Sequence, residues 1–389
     1  MTANVRIGIV GMGNAGMMHA RELVSGMVPG AVLAAVCDRP ARLAQVRPEL
    51  PAGVREFDGH AAMLRAGACD AVVITTPHFQ HPAVAVDAFA AGCHVFCEKP
   101  AGVRTRDVRR MNRAAARSGK VFTMHFNRRL EPVWKKVAHV LTAGELGAVQ
   151  RVQWTSTDWF RTDGYYASGG WRGTWAGEGG GLLLNQCIHV LDLWQHFFGL
   201  PRRVRAVCGF GKFHPGIEVE DEVTAVFEYG TGVTGVWIAG TGEAPGTNRL
   251  EIAGDRGRLV VEDRTIRFRR TAVSVAEFRR EHSGFAEPEC WECEIPVSGQ
   301  ADLAAGIMKN FIAAIRKDAP LLIPGEEGLR SLEMANAILL SAWTGDWADL
   351  PPDERRFETE LNRRIAAAPH RPKRGAPAGR ILNLHDSFK

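Results

Sequence analysis

The sequence predicts a two-part chain: an α/β domain on a parallel sheet over residues 1–124, then an α+β domain with a mostly antiparallel sheet over residues 125–362. Three observations carry this. Short apolar runs alternate with helical stretches up to Met124, the pattern of strands buried on both faces. Beyond Met124 the runs lengthen, alternate with period two and follow one another through glycine turns, as antiparallel hairpins do. The 389 residues also exceed the roughly 250–300 at which a single core stops growing.

In order, Val5-Arg6-Ile7-Gly8-Ile9-Val10 reads as a strand, followed by a glycine turn and a helix to about residue 25. Residues 32–37, 70–75, 94–97 and 120–124 are further β-branched or apolar strands, separated by helical stretches such as 82–91 and 105–118. A long amphipathic helix is expected over 129–143, a period-two strand over 149–157, and a helix over 184–198. Strands at 222–229 and 233–238 flank Gly230-Thr231-Gly232, a hairpin signal, and 250–253, 258–262 and 265–269 continue the meander. Helices over 304–317 and 326–342 close the domain.

Net charge is +5, but it is local. From Arg363 onward there are seven basic residues and one acid, so the remaining body carries 41 basic and 42 acidic residues. Residues 363–389 therefore read as a basic extended tail on a neutral body, and nucleic acid is not an expected partner. Eight cysteines are too few for a disulfide scaffold. Cys290-Trp291-Glu292-Cys293 lacks a second pair and is read as two buried or half-buried thiols in a strand. With no apolar run of about 20 residues and no leader pattern, the expectation is a cytoplasmic protein with no membrane contact.

Gly11-Met12-Gly13-Asn14-Ala15-Gly16 directly follows a strand and opens a helix. Gly11 permits the tight turn, Gly13 lets backbone approach a pyrophosphate, and Gly16 lets helix and strand pack closely. Asp38 ends the second strand, where a carboxylate would bind ribose hydroxyls and repel a 2′-phosphate. NAD is expected, although Arg39, next in line, offers a cradle for the extra phosphate of NADP. Another strand ends in Cys97-Glu98-Lys99-Pro100. Spacing alone leaves Lys99 either a reactive group beside the crevice or a solvated loop lysine.

Glu98-Lys99-Pro100, the earlier Thr75-Thr76-Pro77-His78-Phe79-Gln80-His81, the glycine fingerprint and Asn185-Gln186-Cys187-Ile188-His189-Val190-Leu191-Asp192 resemble the Gfo/Idh/MocA oxidoreductases. The resemblance spans residues 1 to about 345. It implies a Rossmann domain followed by an open-faced sheet, with nicotinamide between them, and a cis Lys99–Pro100 bond. It further implies cofactor contacts from Thr76, Pro77, His81, Glu98 and Lys99. An open sheet face implies cover by another subunit, in a homodimer or homotetramer.

Asn185, His189, Asp192 and His196 recur at helical spacing as one polar stripe on an otherwise apolar helix. Buried polar groups need partners. A metal would serve, but no clean three-ligand set appears and none is expected; a core histidine bonded to backbone is the plainer alternative. With the resemblance, His189 becomes the general base for a substrate hydroxyl, and Lys99 orients the same oxygen and stabilises its developing charge. Asn185 stands where many members carry an aspartate; it can hydrogen-bond a hydroxyl but cannot ionise.

The aromatic and basic loop 159–175 is the expected substrate wall, with Tyr166 and Arg172 as first choices for contacts to a sugar or polyol. The resulting expectation is an NAD-dependent dehydrogenase acting on a secondary hydroxyl of a sugar, glycoside or inositol. Alternatives are a redox-neutral glycosidase or epimerase that retains NAD, and a non-catalytic sensor of sugar and NAD.

Overall fold

Residues 3–368 are described by the structure, a computed structural model. Six strands form the first sheet: β1 (Val5–Val10), β2 (Ala31–Cys37), β3 (Arg55–Phe57), β4 (Ala71–Ile74), β5 (His94–Cys97) and β6 (Phe122–Met124). All pair in parallel, in the order β3-β2-β1-β4-β5-β6. Every residue of β4 is buried, as a strand covered on both faces requires. The order reverses beside β1, which opens a crevice at the carboxyl ends of β1 and β4. β3 was not expected, because its three residues include one apolar side chain and so carry no strand pattern.

The second sheet has nine strands: β7 (Val149–Ser156), β8 (Arg203–Phe210), β9 (Glu220–Glu228), β10 (Thr234–Gly240), β11 (Asn248–Gly254), β12 (Gly257–Glu262), β13 (Thr265–Thr271), β14 (Cys290–Ile295) and β15 (Ala348–Asp349). Their order is β14-β13-β12-β11-β7-β10-β9-β8-β15, and only β7 and β10 pair in parallel. Trp154 on β7 lies opposite Trp237 on β10, and both are fully buried. The helix Ile188–Phe198 lies on this inner face, its Trp194 stacked on Trp154 at 6.3 Å. Gly235 makes the fit possible: a Cβ there would stand 2.6 Å from the Trp194 ring. The other face carries Val207 and Val226 exposed.

Several expected elements shift for local reasons. The helix expected from residue 129 begins at Pro132, because proline can open a helix but not continue one; Arg129 lies in the preceding 3-10 turn, Asn127–Leu130. The helix expected from residue 184 begins at Ile188, so Asn185 lies in the turn before it. A helix, Glu354–Ala367, capped by Asp353, continues through Arg363 and Arg364, where an extended tail was expected to begin. The rest of that tail, including Arg371, Lys373 and Arg374, lies outside the described residues. Cys290 and Cys293 are exposed, not buried, on the edge strand β14. Three apart on a strand, they point to opposite faces and do not form a dithiol pair.

The two sheets are joined by a buried ion cluster. Arg129, just after β6, donates Nε and Nη2 to Asp192 at 2.7 and 2.6 Å, and Nη2 also meets Glu327 at 2.6 Å. Burial alone would push the Asp192 carboxyl up; the guanidinium opposes that. Arg129→Ala would leave the buried Asp192 carboxylate facing no cation, with the half-buried Glu327 beside it. We expect it to lower unfolding free energy by about 3–5 kcal/mol in urea denaturation, the range for breaking a buried pair from one side.

Candidate active site

At the carboxyl end of β1 the backbone turns sharply at Gly11, with φ +100°. A Cβ at Gly11 would stand 2.8 Å from the Thr75 backbone, and one at Gly16 would stand 2.0 Å from the Gly11 carbonyl oxygen. Gly13 differs: nothing lies within 4 Å of its missing Cβ, so its face opens into a cleft. The helix Asn14–Val24 starts there with no side-chain cap and no acid in its first turn. Its first N–H groups are therefore available to an anion, with the helix dipole in support.

Asn14, Ala15, Asp38, Arg39, Thr76 and Pro77 line this same end of the cleft. Asp38 is held at the rim by backbone: Oδ2 accepts from Met12 N–H at 2.6 Å and Oδ1 from Arg39 N–H at 2.7 Å. The Arg39 side chain, 90% exposed, stands 3.9 Å away. Thr76 Oγ1 is buried with no protein partner. An open glycine, uncapped N–H groups, a fixed carboxylate and an orphaned hydroxyl together suit a dinucleotide. The cleft measures about 1820 Å³, beyond the roughly 300–1,000 Å³ of a single small-ligand pocket, so a second ligand fits beside it.

The inner end of the cleft is built on the loop after β5, where Lys99–Pro100 is cis. Lys99 Nζ donates to the Asn185 backbone carbonyl at 2.7 Å and lies 3.4 Å from Asn185 Oδ1. Burial pulls the Lys99 ammonium down to about 8; Glu98 opposes this, and the charges of Arg172 and Arg161 add to it. His189, in the first turn of Ile188–Phe198, lines the cleft with its ring edge against Phe126. Burial, then the charge on Lys99, holds His189 well below the ordinary histidine range, so its imidazole is neutral. The structure thus brings Lys99, Asn185 and His189 to one wall. Asp192 and His196 leave the expected stripe, Asp192 for Arg129 and His196 for the surface.

Asn185 has a carboxylate behind it. Its Nδ2 donates to Glu178 Oε1 at 2.6 Å, and Glu178 Oε2 accepts from Gly173 N–H at 2.6 Å. Burial raises the Glu178 carboxyl above its ordinary range.

One expected contact is corrected. Tyr166 does not line the cleft: it is buried, with its hydroxyl 3.2 Å from Thr241 Oγ1. The short helix Asp163–Ala167 turns the neighbouring Tyr165 inward instead. The Tyr165 hydroxyl accepts from Arg172 Nη1 at 2.6 Å, Gln186 Nε2 at 3.0 Å and Asn185 Nδ2 at 3.2 Å. His81 is committed to the protein, its two ring nitrogens each 2.7 Å from a backbone carbonyl, of Pro100 and of Thr76. Glu98 lines the cleft as well, and its Oε1 accepts from His125 at 2.7 Å and His19 at 2.9 Å.

The His19–Glu98–His125 group, extended by Glu22 at 3.0 Å from His19, was not foreseen. Two glutamates push the His19 imidazole up to about 9 despite its burial. The signal was present: His19 and Glu22 stand three apart on the helix face that also buries Gly16, Ala20 and Leu23.

Known proteins share this architecture. Residues 5–126 match the profile of an oxidoreductase family with an NAD-binding Rossmann fold, and residues 134–260 match the GFO/IDH/MocA C-terminal domain. The chain is 27% identical to the inositol 2-dehydrogenase of Rhizobium meliloti over 342 residues, covering 87% of this chain and 96% of that one. It is 30% identical to the D-glucoside 3-dehydrogenase of Escherichia coli over 59% of this chain and 68% of that one. The crystal structure of the WlbA dehydrogenase from Bordetella pertussis, in complex with NADH and UDP-GlcNAcA, superposes with TM-score 0.74 at 27% identity, covering 90% of this chain and all of that one. Profile, relatives and fold agree: the chain belongs to the Gfo/Idh/MocA family of NAD-binding oxidoreductases.

Proposed function

We propose that this protein oxidises a secondary hydroxyl of a sugar, glycoside or inositol, with His189 taking the hydroxyl proton and Lys99 holding the same oxygen. One observation carries the reading: a neutral imidazole and a buried ammonium line the inner end of a cleft whose other end is a glycine cradle. NAD held in that cradle supplies the hydride acceptor. The chain's own residues supply the rest. A neutral His189 can accept a proton without first losing one. Lys99 donates toward the oxygen as its negative charge develops, in a water-poor site where such a bond is strongest. Asn185 fixes Lys99 through its backbone carbonyl and is itself fixed by Glu178.

The relatives named as inositol and glucoside dehydrogenases support a polyol or sugar substrate. Asp38, pinned at the rim, supports NAD over NADP. The exposed Val207 and Val226 on the open face of the second sheet support cover by a second copy, in a dimer or tetramer that sedimentation equilibrium would detect. Eight unpaired thiols support a reducing, cytoplasmic setting. Among the described residues no helix is long and apolar enough to cross a membrane.

A screen of inositols, aldoses and glycosides should find substrates that reduce NAD, with kcat/KM lower when NADP replaces it. Turnover with no net NADH would replace this reading with a redox-neutral, NAD-retaining one. Lys99→Ala and His189→Ala should each lower kcat about 10²- to 10⁴-fold while NADH affinity, read by fluorescence titration, stays near wild type. Wild-type turnover in either variant contradicts the assignment. After reductive ¹³C-methylation, the lysine signal missing from Lys99→Ala should titrate near pH 8, since burial disfavours the ammonium, against about 10.4 for exposed lysines. A signal titrating with the exposed set contradicts a buried ammonium.

A further inference from the structure

We propose that the substrate is an anion, a sugar or polyol bearing a carboxylate or phosphate group, and that Arg161 and Arg172 receive that group. The proposal rests on the reading of this cleft as a hydroxyl-oxidising site and names the substrate class within it. Both arginines come from the loop before Asn185, and both line the cleft beside Lys99. They flank one ring: the Arg161 and Arg172 guanidinium carbons stand 5.2 and 4.6 Å from the Tyr165 centroid. Trp159 and Trp171 back them at 5.7 and 4.7 Å. Stacking on aromatic faces fixes the planar fork that suits bidentate binding of a carboxylate or phosphate.

What these cations face decides the matter. Arg161 donates Nη1 to the Phe160 carbonyl at 2.8 Å, its Nε is buried with no protein partner, and no carboxylate among the described residues lies within ion-pair distance of it. The acids nearby are already committed. Glu178 accepts from Gly173 and Asn185, Glu98 from two histidines, and Asp302 pairs with Lys309 at 2.7 Å. Three cations thus share one cavity wall: among the described residues no carboxylate forms an ion pair with Arg161 or with the Lys99 ammonium. Glu98 and Glu178 act on Lys99, and Glu178 on Arg172, from further off. The cations feel one another, since Arg172 and Arg161 both weaken proton binding at Lys99.

Donor count agrees with charge. Lys99 and both arginines can only donate, and the Tyr165 oxygen already accepts three N–H groups, which leaves its own proton to donate. At these four side chains a neutral polyol, whose hydroxyls both donate and accept, would meet only donors. A carboxylate or phosphate only accepts. It would also offset the mutual repulsion of the three cations.

The test uses the NADH-loaded full chain and isothermal titration with hexuronates, the matching neutral hexoses and the hexose 6-phosphates. We expect at least one anionic series to bind about tenfold or more tightly than its neutral parent, with the advantage shrinking at high salt. Which series gains distinguishes carboxylate from phosphate. In Arg161→Gln, and separately in Arg172→Gln, the advantage should fall to within about threefold while NADH affinity is retained. Neutral hexoses binding as well as both anionic series would overturn the proposal. So would an anion advantage that survives in both variants, or no binding by any of the three. Preferential anion binding with no NADH formed from NAD supports the anion subsite and refutes the oxidation reading. NADH formed from neutral sugars with no advantage for acids or phosphates does the reverse.

Discussion

The hydrogen bond from Lys99 Nζ to the Asn185 carbonyl is the contact on which the rest of the site depends. Lys99 belongs to the edge of the first sheet, and Asn185 to the turn that launches a helix over the second. That bond ties the two halves together at the point where chemistry would occur, with the Arg129 cluster and the 3.0 Å contact of His78 Nδ1 with the Glu178 carbonyl beside it. It also fixes an unusual electrostatic state. An ammonium withdrawn from water needs acceptors, and the one it receives at close range is a neutral carbonyl dipole, which orients the cation without cancelling it.

A second layer keeps Lys99 in place. The Glu98 carboxylate lies directly behind it, drawn into the interior by His19 and His125 and accepting the Lys99 backbone N–H at 3.2 Å. Glu98 is held well below the ordinary carboxylate range because those two imidazoles oppose the burial penalty. Buried negative charge beneath the loop favours a cation above it. His81 clamps the same loop through the Pro100 carbonyl, and the Arg129 cluster locks the helix that carries His189. Each anchor comes from a different stretch of chain, so the site is assembled only when both sheets have formed.

This explains which parts of the site were legible in the sequence. Gly11, Gly13, Gly16 and Asp38 could be read because their roles are local: a turn, a helix start and a strand end. Lys99 and His189 could be read through family resemblance, and they do share a wall. Tyr165 could not be told from Tyr166, since choosing between adjacent residues needs the phase of a five-residue helix, and a period cannot be measured over so short a run. That Asp192 is buried and needs a partner could be read from the stripe, but not which partner, because Arg129 lies 63 residues away and nothing in either local pattern announces the pair. The fold was more legible than the site: alternating apolar runs report a parallel sheet, but only three-dimensional proximity reports a charge balance.

Charge balance is also where Asn185 acquires meaning. An aspartate there would sit against Lys99 and neutralise it. With asparagine, the carboxylate on this side of Lys99 lies one hydrogen bond back, at Glu178, where it is buried and held by the Gly173 backbone. Burial raises the Glu178 carboxyl, and the charge of Arg172 with the Gly173 and Asn185 hydrogen bonds opposes that rise. The cleft wall therefore carries more positive field than the same frame with an acid at 185. In that field a neutral hydroxyl would gain orientation from Lys99, but an anionic substrate would also be drawn in and held. The amide at 185 and the two arginines on the preceding loop act in one direction. A carboxylate at 185 would compete with the substrate's own anion for the same cations, so Asn185 and an acidic substrate are physically consistent with each other.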